Sequence, residues 1–570
     1  MNPLLIATVD GAALMMSKLG DLGPEMVMLF GACLCLVVGL QKSAEIRKLT
    51  VAVAAVTLVF AGILNALTVV EAQYIWTLAT FTKMAVCVIG VLLLVFTSGL
   101  PDTLKMSRDA EAYPQNFDAG NVMRGEFFAF FLFSLTGVML CSGASDLVWL
   151  FLALELTSLP TYVMVATGRD SLKANEAGVK YFFLGALSAA IFLYGFAMIY
   201  GATGVTNFDE IRTCVAVTGV TPLLTLGLVL SIVGIGFKIA AFPMHFYTAD
   251  VYEGAPTPVT AFLAFVPKTA GFVALILVLG LASKVNIQIL NPGDELITTA
   301  KFTSPLPDTV QAVLWVMAAL TMTLGNILGL MQTNVKRILA YSSVAHSGYM
   351  LVGLLGISAG LGGAASTNGA GSVMFYLVAY ALGNLAAFSV LACLERNGDE
   401  ATELSDLAGL SKRKPLLAGV MLIANLSLVG LPPLVGFAGK VYMFSAAVNA
   451  GFICLVVLAV INSAISAVYY LRIINSCYFA ESDQTVKINA APYRVMVATL
   501  AGGLLVMLGI GGNKLAQITN TATTNYKLLE SMTVPFSEIS PTFETQTKPL
   551  VKQPQTIDEL NKINKVKSDL

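Results

Sequence analysis

Residues 415–447 read PLLAGVMLIANLSLVGLPPLVGFAGKVYMFSAA, and residues 215–247 read VAVTGVTPLLTLGLVLSIVGIGFKIAAFPMHFY. Each is an apolar run of 33 residues. As one straight helix either would be about 50 Å long, against a bilayer core of about 30 Å. Tilt rarely absorbs such an excess. Each run also carries helix breakers: Pro243 in one, and Gly430, Pro432 and Pro433 in the other. The economical reading is a pair of interrupted helices. Broken backbone is tolerated inside a membrane where it is buried in protein or lines a water-filled cavity. A pair of such segments in corresponding halves of a chain points to an internal repeat with a transport site at its interface.

Working outward, apolar runs divide the rest of the chain. Fourteen spans are expected: 22–40, 49–70, 80–100, 126–144, 146–167, 179–201, 215–247, 258–282, 308–330, 336–358, 372–394, 415–447, 450–473 and 494–515. The two long runs are five spans apart, and an odd offset reverses orientation, so a five-span repeat would be inverted. Odd-numbered loops carry 17 Lys and Arg residues and even-numbered loops 3. The positive-inside rule then makes the odd loops cytoplasmic and places both termini outside. The fold class is an all-α polytopic membrane protein.

Only 12% of the 570 residues are charged and the net charge is −1, which argues against a nucleic-acid partner. The start has no basic region before its apolar core, the first cation being Lys18, so it does not read as a cleaved signal. The eight cysteines are scattered, with no Cys-x-x-Cys pair or zinc spacing. With two histidines, His245 and His346, a bis-histidine haem would use both. The tail from 520 to 570 is polar and holds no spanning run.

Charges are expensive at the bilayer centre, at least about 2.5 kcal/mol each. Five stand in or near spans. Glu155 lies within DLVWLFLALELTSLPTYVMVA, Lys238 in GIGFKIAAFPMHFY before Pro243, and Lys268 in PVTAFLAFVPKTAGFVALILV. Lys440 follows Pro433, and Lys180 opens the sixth span in AGVKYFFLGA. The competing reading is a structural pairing for Glu155, Lys268 and Lys440, and snorkelling for Lys238 and above all for Lys180. His346, in LAYSSVAHSGYM, is a further relay candidate or a hydrogen-bonded packing residue. Glu25 and Lys83 fall near span edges and read as interface residues. Burial disfavours an ammonium and a neighbouring carboxylate favours it. Movement of Glu155 would therefore switch the charge on Lys180 or Lys238, and a row of such groups passes protons stepwise.

The stretch FKIAAFPMHFYTADVYEGAPTPVTAFLAFVPK, 237–268, resembles the subunit N family of bacterial respiratory complex I, an NADH:quinone oxidoreductase, and its mitochondrial counterpart. Residues 125–163, 175–204, 336–353 and 407–444 agree, so the similarity covers roughly 120–475. It implies an antiporter-like fold with two inverted five-helix repeats, spans 4–8 and 9–13. It divides the chain into three N-terminal helices (1–115), a proton-translocating core (116–480), a last helix (481–519) and the tail (520–570), which is longer than the family leads one to expect. It implies the pairing carboxylate at Glu155, the sixth-helix lysine at Lys180, the core lysine at Lys238, a relay at Lys268 and the lysine nearest the exit at Lys440. It also implies no redox centre here: NAD, FMN, iron–sulfur clusters and quinone would belong to partner subunits. The neighbours implied are J, K and M type subunits, in the bacterial inner membrane. A stand-alone cation/proton antiporter, a non-conducting scaffold subunit and a subunit of a ferredoxin- or hydrogenase-linked relative are the alternatives.

Overall fold

Short polar residues and prolines start the helices. Thr221 accepts a hydrogen bond from Leu224 N and precedes Pro222, Asn334 accepts from Arg337 N, and Asn368 accepts from Gly371 N. Each side chain satisfies a backbone donor that the first helical turn leaves free. In the computed structural model the described residues are 22–41, 44–72, 76–97, 119–167, 172–282, 306–359, 368–396, 399–481 and 486–524. They belong to one packed unit, Met1–Val285 with Lys301–Leu528.

The helices run α1 (Gly23–Gly39), α2 (Ala44–Glu71), α3 (Leu78–Thr97), α4 (Ala119–Ser142), α5 (Leu147–Thr167), α6 (Leu172–Thr203), α7 (Phe208–Thr218), α8 (Pro222–Ile235), α9 (Thr248–Gly254) and α10 (Thr257–Gly280). They continue as α11 (Asp308–Leu330), α12 (Val335–Leu355), α13 (Gly369–Leu391), α14 (Leu410–Arg413), α15 (Pro415–Val429), α16 (Val435–Asn449), α17 (Ile453–Phe479), α18 (Pro492–Gly511) and α19 (Asn513–Thr524). Among the described residues 11 helices are long and apolar enough to cross a membrane, and α1, α8 and α15 are shorter apolar helices. Three short strands, Leu394–Arg396, Asp399–Glu400 and Lys487–Ile488, join in an antiparallel sheet with Leu394 opposite Ile488 and Arg396 opposite Asp399.

Both long runs are broken. The second stops at Val429, turns through Gly430 at φ 88°, and restarts at Val435. The first leaves helix after Ile235 and passes through turns until α9. Within them Ala240 sits at φ 57°, a left-handed conformation that costs a non-glycine residue about 1–2 kcal/mol. The freed backbone is satisfied locally. Phe242 N donates to Thr321 Oγ1 at 2.9 Å, Tyr247 Oη donates to Phe237 O at 2.7 Å, and Ser347 Oγ donates to Ile239 O.

Three expectations change. The first long run begins later than 215, because residues 208–218 form the separate helix α7, capped by Asn207 and ended by Gly219 at φ 75°. The sixth span begins at Leu172, so Lys180 lies in the third turn of a 32-residue helix rather than opening it. Residues 520–524 of the tail belong to α19, where Asn520 and Thr523 accept hydrogen bonds from Asn368 Nδ2 at 2.8 and 2.7 Å. The tail beyond 524 and several of the counted loop cations, Lys105, Lys284 and Lys301 among them, lie outside the described residues.

Candidate functional site

The first break points Lys238 at α5. Its Nζ lies 3.1 Å from Glu155 Oε1 and donates to Ser158 Oγ, one turn further along the same helix. Phe192 presents its ring 5.7 Å from the ammonium. Lys238 is 3% exposed. The carboxylate and the hydroxyl answer the cost of burying a charge, which an isolated ammonium would not survive in an apolar site.

Lys268 comes from α10 and is equally buried. Among the described residues it meets no carboxylate. Its Nζ donates to Ser347 Oγ at 2.7 Å and to the Ser343 carbonyl, and lies 5.1 Å from the centre of the Tyr380 ring. Lys238 and Lys268 open onto one small cavity of about 10 Å³, lined also by Tyr181, Ala240, Tyr247 and Tyr252. That is close to the ~10–15 Å³ one water requires. A second link runs through protein, since Ser347 Oγ reaches the carbonyl of Ile239, the residue after Lys238.

Lys440 uses the second break itself. From α16 it reaches back over Gly430 and donates to the Val429 carbonyl at 2.8 Å, and to Ser463 Oγ at 2.8 Å. Val429 is the last residue of α15. A cation there meets both a carbonyl that the helix end leaves free and the negative end of the helix dipole. The Tyr349 ring stands 4.9 Å from the ammonium. An added Cβ on Gly430 would meet Lys440 Cδ at 2.9 Å, so this close approach requires glycine twice over.

His346 lies between the two lysines. Its ring centre is 5.3 Å from that of Tyr380, which carries Lys268, and 5.5 Å from that of Tyr349, which carries Lys440. Its ring nitrogens meet two further tyrosine hydroxyls. His245 is buried in the first break, flanked by the rings of Phe242 and Phe246.

Lys180 is placed elsewhere. It pairs with Asp250 and Glu176, each at 2.7 Å, and its side chain is 41% exposed. The expected switching of Lys180 by Glu155 therefore finds a different carboxylate: Glu155 faces Lys238, and Lys180 faces α9. Arg337 joins the same group, 2.9 Å from Asp250 and 2.8 Å from Glu253, and Lys173 lies 3.0 Å from Glu253. Lys336 pairs with Glu400 at 2.8 Å. These pairs tie together the N-terminal turns of α6 and α12, the helix α9 and the strand residue Glu400. Asp250 and Glu253 lie beyond the first broken span. Burial alone would push both carboxyls up. Hydrogen bonds to Asp250 from Lys180 and Arg337, and to Glu253 from Arg337 and Lys173, outweigh it and hold both below the ordinary carboxylate range.

Several partners escape a reading based on charge. Ser343 and Ser347 are four apart on α12 and flank His346, a spacing that marks one helix face and was open to reading in LAYSSVAHSGYM. Tyr376, Tyr470 and Asp250 carry no comparable signal. Glu25 and Lys83 are more than edge residues: they form a buried pair at 2.8 Å between α1 and α3.

A family profile described as NADH:quinone oxidoreductase/Mrp antiporter, TM, matches residues 144–292 and 295–466. NADH-quinone oxidoreductase subunit N of Trichlorobacter lovleyi is 42% identical over 67% of this chain and 74% of its own length. The subunit of the same name from Polaromonas naphthalenivorans is 37% identical over 86% of this chain and 94% of its own. Among solved structures, a chain of respiratory complex I from Thermus thermophilus with bound aureothin superposes with a TM-score of 0.68. It is 30% identical, over 87% of this chain and 99% of that one.

Proposed function

Because the chain belongs to the NADH:quinone oxidoreductase/Mrp antiporter transmembrane family, we propose that its buried lysines form the proton path of a membrane-arm subunit. The chain is of the subunit N kind, a proton-translocating component of NADH:quinone oxidoreductase. Electrons pass from NADH to quinone in other subunits, which hold FMN and the iron–sulfur clusters. J, K and M type subunits flank it in a bacterial inner membrane, with both of its termini periplasmic. Residues 116–480 form the translocating core, between the N-terminal helices of 1–115 and the last helix and tail.

One observation carries the path: Lys238 and Lys268 share a single cavity, and polar groups around His346 continue towards Lys440. Glu155 holds the charge on Lys238 while it is close. When it withdraws, the ammonium loses its one full counter-charge among the contacts described and releases a proton towards Lys268. His346 bridges Lys268 and Lys440. Lys440 holds the proton at the end of a half-helix, nearest the exit. Lys180, with Asp250 and Glu176, stands at the half-exposed end of the route.

The test uses the complex assembled with its partners and reconstituted in sealed vesicles. Lys238→Met retains NADH oxidation by an uncoupled complex but translocates fewer protons per electron. Unchanged proton translocation by that variant would overturn the path. Copurification with flavin and iron–sulfur subunits separates this reading from a stand-alone antiporter.

A further inference from the structure

His346 is held by hydroxyls on both sides. Its Nε2 lies 2.9 Å from Tyr470 Oη on α17, and its Nδ1 lies 2.6 Å from Tyr376 Oη on α13. Tyr470 Oη is in turn hydrogen-bonded to Ser342 Oγ, one turn before His346 on α12. All four side chains are buried. The two ends of the row lie next to residues that adjoin different lysines. Ser342 adjoins Ser343, whose carbonyl accepts from Lys268. Tyr376 packs so closely on Gly439, the residue before Lys440, that an added Cβ would meet its ring carbon Cδ2 at 2.5 Å.

A neutral imidazole has one N–H donor and one acceptor nitrogen, whereas a tyrosine hydroxyl both donates and accepts. A histidine flanked by two hydroxyls can therefore be satisfied in either tautomer, provided that all hydroxyls of the row turn together. Packing alone does not call for this. Phenylalanine at 376 and 470 would fill the same space, and a buried histidine needs no chain of hydroxyls leading away from it.

We propose that Ser342, Tyr470, His346 and Tyr376 form a proton wire that carries each proton from the Lys268 side to the Lys440 side. The proposal rests on the reading that protons travel along the buried lysines. The step balances as follows. His346 begins with its proton on Nδ1, donated to Tyr376. A proton reaching Ser342 Oγ displaces the serine's own proton to Tyr470 Oη, and Tyr470 gives its proton to His346 Nε2. The imidazole yields its Nδ1 proton to Tyr376 Oη, and Tyr376 releases its original proton towards Lys440. One proton enters and one leaves, and every N–H or O–H bond broken is replaced by one formed. The row is left with each hydroxyl reversed and His346 in the other tautomer. It must turn back before it conducts again, so it passes one proton at a time and holds no continuous leak.

The experiment compares Tyr376→Phe, Tyr470→Phe and the double variant in the assembled complex, reconstituted in sealed vesicles. Protons moved per electron are read against NADH oxidation by the uncoupled complex. Phenylalanine keeps the ring and removes only the hydroxyl. Each single variant is expected to slow proton delivery on the order of tenfold or more, and the double variant to lose no more than the singles, because members of one wire act as a unit. Proton translocation at the unmodified ratio by either single variant overturns the wire. So do losses that multiply in the double variant, which would mark two independent packing defects. If one tyrosine variant fails to assemble, the other single variant decides by the same criterion. Lys238→Met separates the two levels: if it too translocates normally, the lysine path itself fails. If it is impaired while both tyrosine variants are normal, only the wire fails.

Discussion

Substituting Gly430 by alanine tests whether Lys440 is held by the broken helix or merely lies near it. Gly430 has φ 88°, and a Cβ there would stand 2.9 Å from Lys440 Cδ. Gly451, at the end of α16, has φ 89° and nothing within 4 Å of its added Cβ. The two glycines share a positive φ and differ in the lysine. Gly451→Ala therefore isolates the backbone cost, about 1–2 kcal/mol for a non-glycine residue in the left-handed region. Gly430→Ala adds the displacement of Lys440. The side chain is flexible and escapes the clash by turning, but it then gives up its contact with the Val429 carbonyl, 2.8 Å away. A hydrogen bond to a charged group contributes about 1.5–3 kcal/mol. The occupancy of the productive Lys440 position should then fall on the order of 10- to 100-fold, taking about 1.4 kcal/mol per tenfold. Both variants should lower the thermal inactivation midpoint of the reconstituted complex, with Gly430→Ala lowering it further. Only Gly430→Ala should reduce protons moved per electron. Equal behaviour of the two variants in the pumping assay would refute the claim that the break positions Lys440.

The charged end of the molecule makes further predictions. Asp250 and Glu253 are held below the ordinary carboxylate range in the folded chain. Their contribution to stability is thus present above the unfolded values of about 3.9 and 4.3 and is lost as pH falls through the lower folded values. Thermal inactivation midpoints measured against pH should stay level down to about pH 4 and then drop. Arg337→Ala raises the folded values towards the unfolded ones and should shrink that drop, and a drop of unchanged size would show that Arg337 does not hold the two carboxylates. Glu400 accepts from Thr257 N, at the start of α10, and pairs with Lys336, which donates to the Ala255 carbonyl. Glu400→Gln should cost about 2–3 kcal/mol by weakening a pair whose lysine is buried. It should lower the midpoint without changing protons per electron in complexes that remain assembled, and loss of pumping at unchanged stability would assign this pair to the path instead.

The sequence exposed what length and cost expose. A run of 33 residues with prolines and a glycine in it cannot be one spanning helix, and both breaks are present where those residues fall. Lys238, Lys268 and Lys440 stood out because charge is rare in such runs, and all three are buried. What stayed hidden was partnership. Lys83 and Glu25 looked like edge residues because their pairing depends on how α1 packs near α3, which no periodicity records. Lys180 and Lys238 could not be told apart as the partner of Glu155 for the same reason: nothing in AGVKYFFLGA says that α9 comes alongside α6. The start of the first long run was misplaced because apolar α7 residues continue into α8 in composition, while Gly219 and Thr221 separate them in conformation. Serine and tyrosine partners were missed because in an apolar span they read as ordinary packing residues.

The two breaks hold their lysines by different means, and the difference bears on where control can act. Lys238 faces a carboxylate on another helix, α5. Lys440 faces the carbonyl end of α15, the half-helix of its own break. A helix end presents roughly half an elementary charge, fixed in place by its own hydrogen bonds. A carboxylate presents a full charge, on a side chain and a helix that can move independently of the lysine. Displacing α5 relative to α8 therefore changes the field at Lys238, whereas no comparable motion removes Val429 from Lys440 without unmaking the break. On the proposed path the first repeat then holds the adjustable step and the second a fixed one. A signal from neighbouring subunits would act by moving Glu155, with the proton running onward through groups that turn their hydroxyls and exchange protons without moving their helices. Glu155→Gln should accordingly abolish the response of pumping to electron transfer, while Ser463→Ala, which leaves the Val429 carbonyl in place, should only reduce its rate. The protons-per-electron ratio measured at several NADH oxidation rates distinguishes the two, and a ratio that depends on turnover in neither variant would place control outside Glu155.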